Sequence, residues 1–296
     1  MDVKEPITFE AQIQKLKDRG CIVEDETKAI AVLKNINYYR LTAYFLSFKK
    51  DEKTYLEGTT FENVYHIYEF DRKLWNLIFS ALEEVEILLR TRLSYFFSHK
   101  YGALGYLDKS NFGKTFNEES YEELLKELIK HNKSKPFVQH HIKHYDGKFP
   151  LWVLVELMSF GNLSLFYADM LRADKKAFAK EVFETYDNNV ESWLICLTDL
   201  RNSCAHYARL YNTKMRAEPR TPNGYTTKFG KTVFDYIQVL KFLYPNKDKW
   251  NTFFVSKLVS LFQEYNEYIN LEHIGFPEDW ENILSSWKVT IITPVK

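Results

Sequence analysis

The chain has 296 residues, 40 acidic and 40 basic side chains, and 45% hydrophobic residues. This composition suits one large folded domain, or a domain with an appendage, and excludes wholesale disorder. A formal net charge of zero argues against a protein that coats nucleic acid through bulk electrostatics, but it leaves local basic patches open. Glycine and proline are scarce, which favours long helices over a β-sandwich with many turns.

The three cysteines, Cys21, Cys196 and Cys204, lie far from any paired disulfide framework. No secretion signal follows the opening residues MDVKEP, so we expect reduced thiols and a cytoplasmic protein. No apolar run approaches the roughly 18–20 residues that a membrane helix needs. The most apolar segment, PLWVLVELMSF, is too short and contains Glu156, which is typical of a buried helix.

Helical periodicity begins near the N-terminus. FEAQIQKLKDRG spaces Phe9, Ile13 and Leu16 along one helix face and ends in a glycine. A second helix follows with Asp25 as its candidate N-cap, and then an aromatic segment, NYYRLTAYFLSF. A polar connection is expected at 50–58, and a small hairpin at 50–60 is the alternative.

A long helix is predicted to start at Thr59, which has the capping-box spacing to Glu62, and to run to about His99. NEESYEELLKELIKHN and PFVQHHIKHY predict two shorter helices. The remaining predicted helices are at about 151–159, 162–171, 174–186, 189–209, 231–243 and 247–270. The sequence therefore predicts an all-α protein, with an N-terminal helical extension at 1–58 and a main helical domain at 59–296.

The segment DLRNSCAHYARLYN, residues 199–212, combines a core stripe with polar functional groups. At 100° per residue, one narrow stripe contains Trp193, Leu197, Leu200, Cys204 and Tyr207. The opposite face contains Asp199, Asn202, His206 and Arg209. Arg201 lies on the flank between the two faces, so the wheel predicts a helix that is anchored on one side and presents these groups on the other.

These side chains have the chemistry needed to cleave RNA without a metal. The planar guanidinium of Arg201 can bind a phosphate, and the imidazole of His206 can move protons near neutral pH. Asn202, one turn before His206, can hydrogen-bond the ring or the ligand. By spacing alone, a solvated helix face is the more common explanation of such a pattern.

Basic residues concentrate beside this segment. Between residues 199 and 232 the acidic side chains are only Asp199 and Glu218, whereas the basic ones are Arg201, Arg209, Lys214, Arg216, Arg220, Lys228 and Lys231. Tyrosines at 207, 211 and 225 interleave with them and are candidates for stacking on bases. The pattern favours an RNA-contacting surface, and a solvated basic loop is the alternative.

LRNSCAH followed by RLYN resembles the R-N-x-x-x-H motif of the HEPN superfamily, and in particular the Abi-like (AbiD/AbiF) abortive-infection proteins of bacteria. The resemblance covers nearly the whole chain. The other matching blocks, in order, are LKDRGCIVED, INYYRLTAYFLSF, IYEFDRKLW, EVEILLRTRL, YGALGYLD, PLWVLVELMSFGNLSLFY and GFPEDW.

The resemblance implies an all-helical HEPN fold and a metal-independent endoribonuclease that defends against phage, with no cofactor. It also implies a homodimer whose cleft forms where two motif helices face each other, and a small noncoding RNA as a restraining partner. By carry-over, Arg201 and His206 are the catalytic pair and Asn202 supports them. Combined with the local charge, the predicted RNA-binding residues are Arg209, Tyr207, Lys214, Arg216 and Arg220.

Other interpretations of these candidate site residues remain open. A non-catalytic HEPN protein that holds a structured noncoding RNA would use the same residues. Arg92 and His99 form a second Arg–His pair without the asparagine, on a helix whose Glu86 is a candidate partner for Arg201.

Two further patterns are weaker. His140 and His144 have the spacing of a metal-binding pair, but no further ligand stands nearby. LKDRGCIVEDETKAIAVL suggests a helix-turn-helix, yet its second helix is poor in donors for the major groove, so a structural or RNA-contacting role is favoured. No phosphate-binding glycine loop, H-E-x-x-H or G-x-S-x-G motif is present.

Overall fold

The computed structural model describes residues 5–225 and 227–287, and within them every regular element is a helix. The α-helices are α1 (Phe9–Lys17), α2 (Glu26–Asn35), α3 (Tyr38–Thr42), α4 (Phe61–Tyr101), α5 (Glu118–His131), α6 (Pro136–His144), α7 (Leu151–Leu154), α8 (Phe160–Asp169), α9 (Arg172–Phe183), α10 (Asp187–Ala205), α11 (Val233–Leu243), α12 (Lys247–Lys249), α13 (Ser256–Glu264) and α14 (Trp280–Ser285). A π-helical turn, Trp250–Val255, joins α12 to α13. The predicted all-α class is confirmed.

The central element is α4, which has 41 residues and packs against α7, α8, α9, α10, α11 and α13. Its N-cap is Thr60, whose hydroxyl accepts the backbone N–H of Asn63 at 3.0 Å. The predicted capping residue, Thr59, is wrong by one position: it is buried, and its hydroxyl donates to the carbonyl of Leu56 instead. Two adjacent threonines suit a cap equally well, and only the path of the preceding loop selects between them.

The predicted N-terminal extension packs closely on the helices that follow it. A parallel bridge joins Ile22 to Thr60, and the hydroxyl of Tyr44 donates to Asp71 in α4 at 2.9 Å. A single antiparallel bridge between Lys49 and Tyr55 lies in the segment for which the sequence offers a small hairpin as an alternative. One hydrophobic core includes residues from both parts, so the boundary at residue 58 stays a prediction.

Helix α10 is sandwiched among α4, α8, α9 and α11, and it lies antiparallel to α8. A Cβ added at Gly161, near the start of α8, would lie 3.4 Å from the methyl group of Thr198, near the end of α10. At the other end of the pair, Lys175 bonds both Ala168 and Glu191, at 3.0 and 2.7 Å. Within the described residues, no helix combines the length and the hydrophobicity that a bilayer-spanning segment requires.

Candidate functional site

The buried side of α10 holds the candidate site in place. Trp193, Leu197, Leu200 and Cys204 are at most 3% exposed, as the helical wheel predicts. Burial of side chains of this size contributes about 1.5–3 kcal/mol each, so the backbone beneath the motif is firmly fixed. The wheel predicts Tyr207 on the same stripe, and this prediction is wrong because its side chain is 60% exposed.

The reason is that α10 ends at Ala205 rather than near residue 209. His206 is the C-cap, and Tyr207 adopts a left-handed backbone with φ of 56°. The N–H of Tyr207 donates to Cys204 at 3.2 Å and that of Ala208 donates to Ser203 at 2.8 Å. These two bonds form a Schellman motif, which closes the helix end. His206 therefore lies at the end of the helix, and Arg209 does not share a helix face with it.

Arg201 lies where α10 faces α4. Its Nε is 4.0 Å from Oε2 of Glu86, and its guanidinium carbon is 5.8 Å from the ring centre of Phe79. Glu86 is fixed by Arg90, which also donates to the carbonyl of Met158 at 2.6 Å. The proposed proximity of Glu86 to Arg201 is confirmed. The two side chains attract each other electrostatically without a hydrogen bond, since no hydrogen-bond partner of the buried Arg201 Nε lies within the described residues.

Asn202 and His206 are both exposed at the free end of α10. The side-chain oxygen of Asn202 lies 3.4 Å from Nη1 of Arg201, and its backbone carbonyl accepts the N–H of His206 at 2.9 Å. No side chain in the described part of the protein hydrogen-bonds the His206 ring. The imidazole and part of the Arg201 guanidinium, whose side chain is 30% exposed, are therefore accessible to a ligand on the same end of the helix.

Arg209 is half-buried and donates to the carbonyl of Ala43 at 2.6 Å. This contact ties the chain that follows the motif to the N-terminal extension. Beside it, the buried carboxylate of Asp71 accepts the backbone N–H groups of Leu210 and Tyr211 at 2.8 and 3.1 Å. Arg209 thus has a structural contact that the sequence did not suggest, and its role in RNA binding stays a prediction.

The predicted basic residues of the loop after the motif, Lys214, Arg216 and Arg220, are all exposed. The loop runs back along α10, because the N–H of Arg216 approaches Asp199 at 3.4 Å and the N–H of Arg220 donates to Ser192 at 2.9 Å. The indole of Trp193 donates to the Arg220 carbonyl at 2.7 Å. Basic side chains therefore lie beside the helix that carries the motif.

The three tyrosines of this region have different environments. Tyr211 is 3% exposed, and its hydroxyl bonds the N–H of Asn270 and the ring of His273, at 2.8 and 2.9 Å. Tyr225 is half-buried against Phe229 and Phe242. The prediction that these two stack on bases is wrong for Tyr211 and is not favoured for Tyr225. Tyr207 is open to solvent.

The other candidate residues have local partners. Arg92 pairs with Glu181 of α9 at 3.2 Å, and the ring of His99 packs on that of Tyr95 with centroids 3.8 Å apart. The rings of His140 and His144 lie 4.8 Å apart on α6. Among residues 5–225 and 227–287, no three or more His, Cys, Asp or Glu side chains form a group that could hold a metal ion.

Comparison with known proteins identifies one family. A family model described as Abi-like protein matches residues 31–212, which is more than half of the chain. The matched region begins in α2, includes all of α4 and α10, and ends just after Arg209 and Tyr211. No curated protein and no solved structure matches the chain.

Proposed function

The chain belongs to the Abi-like protein family, which suggests a part in abortive-infection defence, and we propose that it acts there as a metal-independent endoribonuclease of HEPN type. The motif residues are Arg201, Asn202 and His206. The substrate is RNA from the host or the phage, and a small noncoding RNA is the proposed restraining partner. The proposed location is the cytoplasm.

One observation carries this proposal. Arg201, Asn202 and His206 lie at the accessible end of a helix whose other side is fully packed in the core. A solvated polar face would not need Arg201 to lie against Phe79 and near Glu86, a carboxylate that is itself fixed by Arg90. This arrangement limits the positions of the guanidinium, which a group that binds a transition-state phosphate requires.

The proposed reaction is transesterification at phosphorus. The 2′-oxygen of the ribose attacks, the bond from phosphorus to the 5′-oxygen breaks, and the products are a 2′,3′-cyclic phosphate and a 5′-hydroxyl end. In the homodimer, one His206 accepts the proton of the 2′-hydroxyl and His206 of the other copy protonates the leaving oxygen. Arg201 binds the phosphate oxygens and Asn202 supports its guanidinium. Lys214, Arg216, Arg220 and Arg209 provide the positive field along the strand.

The first experiment removes the proposed acid–base group. We expect His206→Ala to lower the rate of RNA cleavage roughly 100- to 10,000-fold, because proton transfer contributes about that much. The measurement is the release of 2′,3′-cyclic phosphate ends from total RNA in excess EDTA. His144→Ala removes an exposed histidine of α6 and is the matched control. Cleavage by His206→Ala at the wild-type rate, or cleavage that requires a divalent ion, would contradict the proposal.

A second candidate function is RNA binding without cleavage. The exposed basic loop and Tyr207 favour contact with RNA whether or not His206 moves a proton. The same incubation separates the two functions. Salt-sensitive retention of one small RNA, with no new cyclic-phosphate ends, supports the binding module. Sequencing the RNA that copurifies identifies the partner in either case.

The proposed homodimer uses the exposed surface of α8 and α10. Leu165 and Ile195 are 61% and 53% exposed, and the antiparallel register of the two helices places them at the same level. These two exposed apolar side chains form the centre of the proposed interface. Ile195 is on the same helix as the motif, so contact there brings two copies of the motif helix together.

We expect Leu165→Glu to shift the protein from dimer to monomer in sedimentation velocity and to abolish cleavage, since a charge would be buried without a partner. Leu107→Glu is the control, because Leu107 is 56% exposed on a turn after α4 that packs mainly on α4. A wild-type chain that sediments as a monomer at all concentrations and still cleaves RNA would contradict this interface.

A further inference from the structure

A groove of about 350 Å³ adjoins the motif on the side of the N-terminal extension. Its lining includes Asn37 and Arg40 from the extension, Arg72, Trp75 and Asn76 from α4, and Tyr207 from the end of α10. Tyr207 is the residue directly after His206. The groove therefore lies at the same end of α10 as the proposed catalytic histidine.

The groove has aromatic and cationic groups close together. The ring of Tyr207 lies with its centroid 5.9 Å from that of Trp75, and the guanidinium carbon of Arg40 lies 6.0 Å from the Tyr207 ring centre. Nη1 of Arg40 donates to the Tyr207 carbonyl at 2.6 Å, which leaves further N–H donors of the guanidinium for a ligand. Flat rings beside an arginine are the groups on which proteins stack nucleobases and hold phosphates.

One polar atom of the groove lining is unsatisfied. Trp75 is 3% exposed, and its buried indole N–H has no hydrogen-bond partner among the described residues. A buried donor without a partner is destabilising by about 1–3 kcal/mol, and such groups in folded proteins call for an explanation. An acceptor supplied by a ligand in the groove, such as a base carbonyl, would satisfy it.

The backbone of Tyr207 is a second, independent sign. Its φ of 56° is a conformation that favours glycine, and a tyrosine there is strained. A glycine would close the Schellman motif at lower cost. The ring of Tyr207 is large, yet at the end of α10 60% of this side chain is exposed to solvent. Its contribution to packing is therefore small, and contact with a ligand explains the residue better.

We infer that this groove binds one unpaired nucleotide of the RNA strand, next to the nucleotide that is cleaved. Its base stacks on Tyr207 and accepts the N–H of Trp75, and Arg40 holds the adjacent phosphate. This inference rests on the proposed function for its substrate, and it assigns the N-terminal extension a direct part in holding RNA.

The test measures binding separately from cleavage. A fluorescein-labelled 2′-O-methyl RNA of ten nucleotides cannot form the cyclic phosphate, and its dissociation constant is measured by fluorescence anisotropy with the full-length protein. We expect Tyr207→Gly to weaken binding roughly 5- to 150-fold, the range for loss of one stacked base. Its thermal stability should equal or exceed that of the wild type, because the strained backbone is relieved. Tyr207→Trp should retain the affinity.

Two further variants sharpen the result. Trp75→Phe keeps a six-membered aromatic ring but removes the N–H together with the rest of the indole, so we expect about 2- to 10-fold weaker binding. Because Trp75 is 3% exposed, we also expect a loss of thermal stability, as for other large-to-small changes at buried sites. Tyr39→Ala is the matched control, because Tyr39 is 85% exposed, adjacent to Arg40 and outside the groove lining, and it should bind like the wild type.

Wild-type affinity in both Tyr207→Gly and Trp75→Phe would overturn the inference, even if His206→Ala abolishes cleavage. Conversely, an RNA that binds through the groove but is never cleaved would overturn the proposed nuclease activity and leave the groove assignment intact. Loss of binding in the Tyr39→Ala control equal to that in Tyr207→Gly would also overturn the assignment.

Discussion

At the scale of single residues, Asp71 connects three parts of the molecule. Its carboxylate is fully buried in α4 and accepts bonds from the hydroxyl of Tyr44 and from the N–H groups of Leu210 and Tyr211. Burial raises the pKa of Asp71 to about 7, and the three donors and Arg209 only partly oppose this. The residue joins the extension to the segment that leaves the motif, although in the sequence it is one acid among many.

The raised pKa of Asp71 predicts a pH dependence of stability. Between the ordinary aspartate pKa of 3.8 and about 7, the folded protein binds this proton more tightly than the unfolded chain does. The contribution of Asp71 to the free energy of unfolding therefore falls as the pH rises through this range, by at most about 1.4 kcal/mol per pH unit.

We expect Asp71→Asn to remove this slope and to lower stability by about 1–3 kcal/mol at pH 4, because an amide N–H₂ replaces one acceptor of a backbone N–H. Urea denaturation of both proteins between pH 4 and pH 8 measures the effect. The difference in free energy of unfolding between the wild type and Asp71→Asn should become smaller as the pH rises. If the free energies of unfolding of the two proteins change in parallel with pH over the whole range, Asp71 does not titrate there.

At the scale of elements, the end of α10 shows how a helix can stop without a recognisable signal. No glycine or proline occurs between residues 199 and 212, so periodicity extends the predicted helix to residue 209. In the structure Tyr207 takes the position that glycine normally occupies. The bond from Arg40 to its carbonyl supports this conformation, and its ring lies near Trp75; both partners come from distant parts of the chain.

Unlike the end of α10, the turn that packs on the start of α11 requires a glycine at its left-handed position. Gly275 has φ of 83°, and a Cβ there would lie 2.3 Å from Cβ of Thr232, the N-cap of α11. We expect Gly275→Ala to lower the free energy of unfolding by about 2 kcal/mol or more, since it adds a steric clash to the backbone strain.

The control is Gly58→Ala. Gly58 has φ of 79° and nothing within 4 Å of an added Cβ, so it reports the backbone strain alone. Thermal denaturation followed by circular dichroism compares the two variants. Equal losses of stability would mean that the Thr232 cap yields to the methyl group at no cost.

At the scale of the whole molecule, the extension and the motif depend on each other. Arg209 donates to Ala43, Asn212 donates to Ser47 at 2.8 Å, and Arg40 donates to Tyr207. All three bonds connect the chain around the motif with residues that precede α4. The extension is therefore expected to hold the end of α10 in its conformation as well as to cover the core.

We predict that a chain lacking residues 1–58 does not unfold cooperatively. It loses Leu41, Tyr44 and Phe45, each at most 3% exposed, and each such side chain contributes about 1.5–3 kcal/mol. Together with the buried residues of α1 and α2, this loss approaches the roughly 5–15 kcal/mol by which proteins are stable. Circular dichroism during heating tests this. A sharp transition near the wild-type temperature would show that residues 59–296 fold independently.

The sequence by itself determined the all-α class, the long central helix, the buried stripe at 193, 197, 200 and 204, and the blocks that indicate the Abi-like family. These features follow from local periodicity and from the order of motifs, which need no knowledge of distant contacts. Tertiary structure decided where α10 ends, that Tyr211 is buried while Tyr207 is exposed, and that Arg209 binds Ala43. It also brought Arg40 and Trp75 beside the motif. Each of these features depends either on contacts between residues more than a hundred positions apart or on competition between backbone hydrogen bonds. The spacing of residues within one segment encodes neither the contacts nor the competition.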